Sequence, residues 1–382
     1  MDYNPGGYGF PPENGNYNNG YGGYSPNGSG LKQPKFIPRE VWAREKSYIK
    51  KLSAFGGGSI LLYILLSSVY VGIYQIISMA VSSVGGSVAE TFNSVIQTAE
   101  FQYLFEVLYS VFIVGGPFFI LGAIFSKKGL AGNIPMGKPR NASYLPIVVF
   151  GGFGLCLTGN IITSYLDTFF EMLTGIKPEM AATPETPKTV GGVLLFFLST
   201  AVVPALIEEM ALRGIIMQPL RRYGDWFAIL SSALIFGLMH CNLAQIPFAF
   251  IAGVVIGYAV IATDSLWTGV LIHFMNNAFS VVCTIVIDFY GVSSWQYKVY
   301  NIAFYAVMTI GVLCAYIAYR KYNVKMKKSP LINSGRGFIT QPHPYSAKIS
   351  NKTLFGTYIL NVPMIAAFIF VCYETALVLM YT

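Results

Sequence analysis

Charge is scarce in this sequence. Only 11% of its 382 residues are Asp, Glu, Lys or Arg, against about 25% in ordinary soluble domains. So few charges exclude a conventional water-facing surface. With 54% hydrophobic residues, including 28 Phe and 26 Tyr, the composition points to lipid as the solvent. Cysteine is also sparse. Cys156, Cys241, Cys283, Cys314 and Cys372 lie in separate apolar runs, which excludes a disulfide framework or a paired-cysteine zinc motif and leaves packing. No cleavable signal peptide is visible. The first 34 residues are rich in Gly, Asn, Tyr and Pro and lack an apolar core. Such a stretch cannot offset its ordering entropy by burial, so residues 1–34 read as a disordered tail. The compact helix signature His-Glu-x-x-His is missing, as is the internal repeat many transporters show.

What is abundant is long apolar runs. A lipid-spanning helix needs about 20 mostly apolar residues. Candidates lie near 59–81, 103–125, 144–167, 189–213, 226–245, 246–262, 266–288, 299–319 and 355–381. The expected fold is therefore an all-α, polytopic transmembrane bundle of eight or nine spans. Only Pro247 and a few polar residues divide the 226–262 region into two. With the N-terminus cytoplasmic, 22 of the 25 Lys and Arg residues fall on the cytoplasmic side, leaving Lys177, Lys188 and Lys298 outside. The net charge of +8 is thus explained by topology, with the anionic lipid bilayer as partner, and no nucleic acid is needed. The chain divides into the tail, an amphipathic segment with the first three spans at 35–188, a helical core at 189–290, and C-terminal spans at 291–382.

Function must come from polar groups that a membrane makes unfavourable. Three stretches carry them: Glu208-Glu209-Met210-Ala211-Leu212-Arg213, Phe236-Gly237-Leu238-Met239-His240 and His273-Phe274-Met275-Asn276-Asn277. Two of the three histidines are here, and the third, His343, precedes the last span. Residues four apart share a helix face. Arg213 can neutralise Glu209, a pair that reads more readily as structural than catalytic. Glu208 points about 100° away and has no local cation, which suits a general base. His273 and Asn277 can face one cavity, and Phe236 can pack beneath His240. Asn276 is one residue off the shared face and reads as supporting. If the fourth span continues to Arg221, Glu208 and His240 reach similar depths of about 20 Å, and Arg213 lies inside the membrane. Pro204 removes a helical hydrogen bond one turn before Glu208.

Together the motifs Glu208-Glu209-x-x-x-Arg213, Phe236-x-x-x-His240 and His273-x-x-x-Asn277 resemble those of the type II CAAX prenyl protease family, also called the CPBP intramembrane proteases. The resemblance covers roughly residues 190–290. It implies an intramembrane endopeptidase of the glutamate-dependent kind, in a multi-pass protein of the cell membrane. Glu208 would activate a water with the help of His240. His273 and Asn277 would form the oxyanion hole, and Arg213 would hold Glu209. The implied substrate is a membrane-associated peptide or protein, not necessarily prenylated. The short chain and its Gly/Asn/Tyr-rich tail look bacterial. No cofactor is expected, although two His and a carboxylate could hold zinc. The alternative is a non-proteolytic membrane scaffold or bacteriocin self-immunity protein of the same fold.

Overall fold

Inside a bilayer every backbone N–H and C=O must find its partner within the chain, and a helix does this locally. The computed structural model describes residues 39–127, 134–140, 142–179, 184–328 and 349–381. The tail expected at 1–34 lies outside them. Among the described residues the chain is all helical, without strands. Eight helices are long and apolar enough to cross a membrane, and the chain is a multi-pass membrane protein.

The order is α1 (Arg39–Val84), α2 (Gly86–Ile96), α3 (Ala99–Ser126), α4 (Leu145–Thr174), α5 (Val190–Tyr223), α6 (Asp225–Leu238), α7 (Ile246–Thr263), α8 (Leu266–Tyr290), α9 (Trp295–Lys328), α10 (Asn351–Ile359) and α11 (Val362–Tyr381). Helix α1 begins twenty residues before the expected span at 59. At 46 residues it is about 69 Å long, so its basic first turns continue without a break into the span. Buried Glu45 anchors that first section to the end of α5. It accepts from Arg222 Nη2 at 2.8 Å and from the Tyr223 hydroxyl at 2.8 Å. The single span expected at 355–381 is divided by a turn at Leu360–Asn361 into α10 and α11.

The region 226–245 differs most from expectation. The helix there is α6, only 14 residues long, or about 21 Å, too short for a hydrocarbon core of about 30 Å. Its sequence is apolar because it is enclosed by protein. Phe227, Ile229, Ile235 and Phe236 are all buried, and α1, α5, α7 and α10 surround it. Hydropathy reads burial in lipid and burial in protein alike, which is why nine runs yield eight candidate crossings. Helices α6 and α7 pack closely against each other. The turn between α7 and α8 then lies against the segment before α4. Arg140 N–H donates to Thr263 O at 2.7 Å, Leu266 N–H to Pro135 O at 2.8 Å, and the Ser265 hydroxyl to Gly137 O at 2.8 Å.

Helix packing in lipid favours small residues that let backbones approach. The α4–α9 contact shows this. A Cβ on Gly311 would lie 2.5 Å from Gly154 Cα and 2.7 Å from Phe150 O. Gly311→Val should therefore destabilise the bundle by about 1–3 kcal/mol, read as a lower thermal unfolding midpoint in detergent. Gly72→Ala, where an added Cβ meets open space, should leave the midpoint near that of the wild type.

Candidate active site

Helix α5 runs unbroken from Val190 to Tyr223, the extension needed to bring Glu208 to the depth of His240. It is not a regular α-helix throughout. Wide π turns occupy Leu198–Val202 and Met210–Ile216, and the Glu208-Glu209 pair sits on the short α segment Val203–Glu209 between them. Such bulges often accompany functional positions. Pro204 has no N–H to offer the carbonyl four residues earlier, that of Thr200. Asn277 fills the gap, donating through Nδ2 to Thr200 O at 3.0 Å. Asn276 in turn donates to Asn277 Oδ1 at 3.2 Å, orienting the amide.

At the other end of the segment a network ties α5 to α8. Glu209 Oε1 accepts from Arg213 Nη1 and from His273 Nδ1, each at 2.9 Å. The Glu209 and Arg213 side chains are both 0% exposed. Arg213 is further held by Gly253 O at 3.4 Å, and its guanidinium carbon lies 4.5 Å from the centre of the Phe236 ring, a cation–π distance. Gly269 lets α8 approach, because a Cβ there would lie 3.0 Å from Glu209 Oε2 and 2.7 Å from Val260 Cγ2.

The second ring nitrogen of His273, Nε2, lies 3.8 Å from Glu208 Oε2. This is ion-pair range and too long for a direct hydrogen bond. Glu208 is 15% exposed whereas Glu209 is 0% exposed, so the two adjacent carboxylates have separate surroundings. His240 follows the last turn of α6. Its Nδ1 lies 2.7 Å from Phe236 O. A carbonyl can only accept, so Nδ1 carries the proton and Nε2 is left with its lone pair. The Phe236 ring meets both imidazoles edge to face, with centroids 5.1 Å from His240 and 5.8 Å from His273.

The eight residues singled out in the sequence thus fall into two linked groups. Glu208, Glu209, Arg213, Phe236, His240 and His273 gather around one aromatic ring. Asn276 and Asn277 sit one turn further along α8, against the Thr200 turn. The imidazole within ion-pair distance of Glu208 is that of His273, and among the described residues no ion pair joins Glu208 to His240. The carbonyls of Thr200 and Gly253 had no signal of their own in the sequence, although Pro204 marks the first indirectly. Among the described residues no three His, Cys, Asp or Glu side chains cluster closely enough to hold a metal ion.

Comparison with known proteins follows the same stretch of chain. Residues 190–279 match the family model of the type II CAAX prenyl endopeptidase Rce1-like proteins. That segment holds α5, α6, α7 and the first half of α8, and with them all eight residues. A relative from Bacillus subtilis (strain 168), described as "Putative membrane peptidase YdiL", is 26% identical over 132 residues. The match covers 34% of this chain and 53% of the relative, so it spans about half of that protein's length. No solved structure matches the chain.

Removing one partner of a fully buried ion pair leaves the other charge unsolvated. Arg213→Met should therefore destabilise the protein by about 3–5 kcal/mol. The double variant Arg213→Met with Glu209→Leu should recover much of that loss, because no lone charge remains. Thermal unfolding of the two variants in the same detergent checks both outcomes.

Proposed function

We propose that this protein is an intramembrane endopeptidase that hydrolyses a peptide bond in a membrane-associated protein or peptide. The observation that carries the reading is the convergence of Glu208 and His273, from two different spanning helices, to 3.8 Å, with the far side of the imidazole held by the buried Glu209–Arg213 pair. The family match over 190–279 supports the same chemistry.

Glu208 takes a proton from a water, and the hydroxide attacks the peptide carbonyl. The unprotonated Nε2 of His240 accepts a hydrogen bond from that water and orients it. Negative charge then develops on the carbonyl oxygen and needs donors. His273 is one: Glu209 holds its Nδ1 edge, and a ring that enters the reaction protonated at both nitrogens donates through Nε2–H. Asn277 supplies the other. An amide nitrogen carries two hydrogens, and Thr200 O uses one of them. The proton held by Glu208 passes to the leaving amine as the C–N bond breaks.

Glu208→Gln keeps the shape and removes the base. Cleavage of a membrane-tethered peptide by the purified protein should fall by at least about 100-fold, with the unfolding midpoint unchanged. Full activity in that variant would overturn the assignment. Asn277→Ala should lower activity and also destabilise the fold by about 1–3 kcal/mol, because Thr200 O then lacks its partner. A stability loss without any change in turnover would remove Asn277 from the catalytic group.

A further inference from the structure

Away from these residues, a cavity of 210 Å³ opens between α1, α3 and the segment before α5. Tyr70, Tyr74, Phe101, Phe105 and Tyr109 line it, together with the carboxylate of Glu106. The rings form a continuous wall. Phe101 stacks on Phe105 at 5.3 Å, Tyr70 tilts against Phe105 at 5.4 Å, and Tyr70 meets Tyr109 edge-on at 5.3 Å. The Tyr109 hydroxyl is tied back to Ser67 Oγ at 2.9 Å, which holds the wall in place.

Glu106 lies within the membrane-spanning part of α3, seven residues or about 10 Å in from Ala99. Among the described residues no Lys, Arg or His is within ion-pair distance of it. A carboxylate at such depth normally has a cation as its counterpart. Here the space in front of it is walled by aromatic rings, whose faces attract cations. The volume falls below the range of about 300–1,000 Å³ for whole-ligand pockets, so it suits one side chain rather than a complete small molecule.

We propose that this cavity is a subsite for the ammonium or guanidinium group of a Lys or Arg side chain in the peptide that the protein cleaves; the identity of that peptide as a substrate rests on the peptidase reading above. Two observations favour a peptide over an aminolipid headgroup. The cavity lining holds no Lys or Arg, so the phosphate that accompanies such a headgroup would find no cation. Helix α3, which carries Glu106, also packs against the wide turn Leu198–Val202, which includes Ser199, on the same helix that carries Glu208. Nine residues separate Ser199 from Glu208, about 14 Å along the helix. An extended chain of about four residues covers that distance, so the basic side chain lies at least that far from the bond cut.

The test uses the full-length protein in nanodiscs of phosphatidylglycerol. The probes are a capped pentapeptide with a central Lys between alanines and the same peptide with norleucine in its place. By titration calorimetry, the Lys peptide should bind saturably and the norleucine peptide at least tenfold more weakly. Glu106→Gln should weaken the Lys peptide at least tenfold with an unchanged unfolding midpoint. Equal affinity for the two peptides, or unchanged affinity in Glu106→Gln, would overturn the subsite. So would loss of peptide binding in nanodiscs containing phosphatidylethanolamine, which would assign the cavity to lipid. Should Glu106→Gln fail to fold, Tyr74→Leu at the half-exposed rim decides. A severalfold loss supports the subsite and no change overturns it. Glu208→Gln separates the two readings, since it should bind the Lys peptide as the wild type does. Intact binding with no cleavage by the wild type defeats the peptidase reading alone. Intact cleavage with no Lys preference defeats the subsite alone.

Discussion

The geometry at the centre of this molecule depends on one carboxylate oxygen. Glu209 Oε1 accepts from Arg213 along its own helix and from His273 across to the next, each at 2.9 Å. An unpaired arginine or glutamate is unfavourable at this depth in a membrane, and pairing offsets both at once. The remaining capacity of the oxygen then sets the direction of His273. Everything nearby that is open to chemistry, Glu208 included, is arranged around a group that is itself sealed from solvent. Adjacent glutamates have thereby become unlike: one is a structural anchor and the other is reachable.

Phe236 adds a second level of organisation. Its ring lies beneath the Arg213 guanidinium and edge-on to both imidazoles. It belongs to α6, a helix too short to cross the bilayer, packed against the longer α1, α5 and α7. A short enclosed helix can end at mid-depth, and its terminal turn leaves a carbonyl there to orient His240. A helix crossing in full would have spent that carbonyl on its own ladder. The length of α6 and the tautomer of His240 are thus two aspects of one arrangement.

Much of this was legible in the sequence, for identifiable reasons. The i, i+4 spacing of Glu209 and Arg213 announced their pairing, and similar depths for Glu208 and His240 were expected only if α5 ran on past Arg213, which it does, to Tyr223. The scarcity of charge and the apolar runs specified a helical membrane bundle. The halting of α6 was not legible, because an apolar run does not record whether lipid or protein will cover it. Nor was the orientation of His273 toward both glutamates, since helical phase gives the face of a residue and not the partner of each ring nitrogen. The wide turns of α5 left only Pro204 as a trace.

That proline has a wider consequence. Thr200 O is an acceptor made vacant by one residue and claimed by another, on a helix more than seventy positions away in sequence. Any residue with an N–H at position 204 could compete for the same oxygen and release the Asn277 amide to rotate. The two positions are therefore coupled through Thr200 O. A substitution at either position thus reaches the other through a backbone atom that belongs to neither.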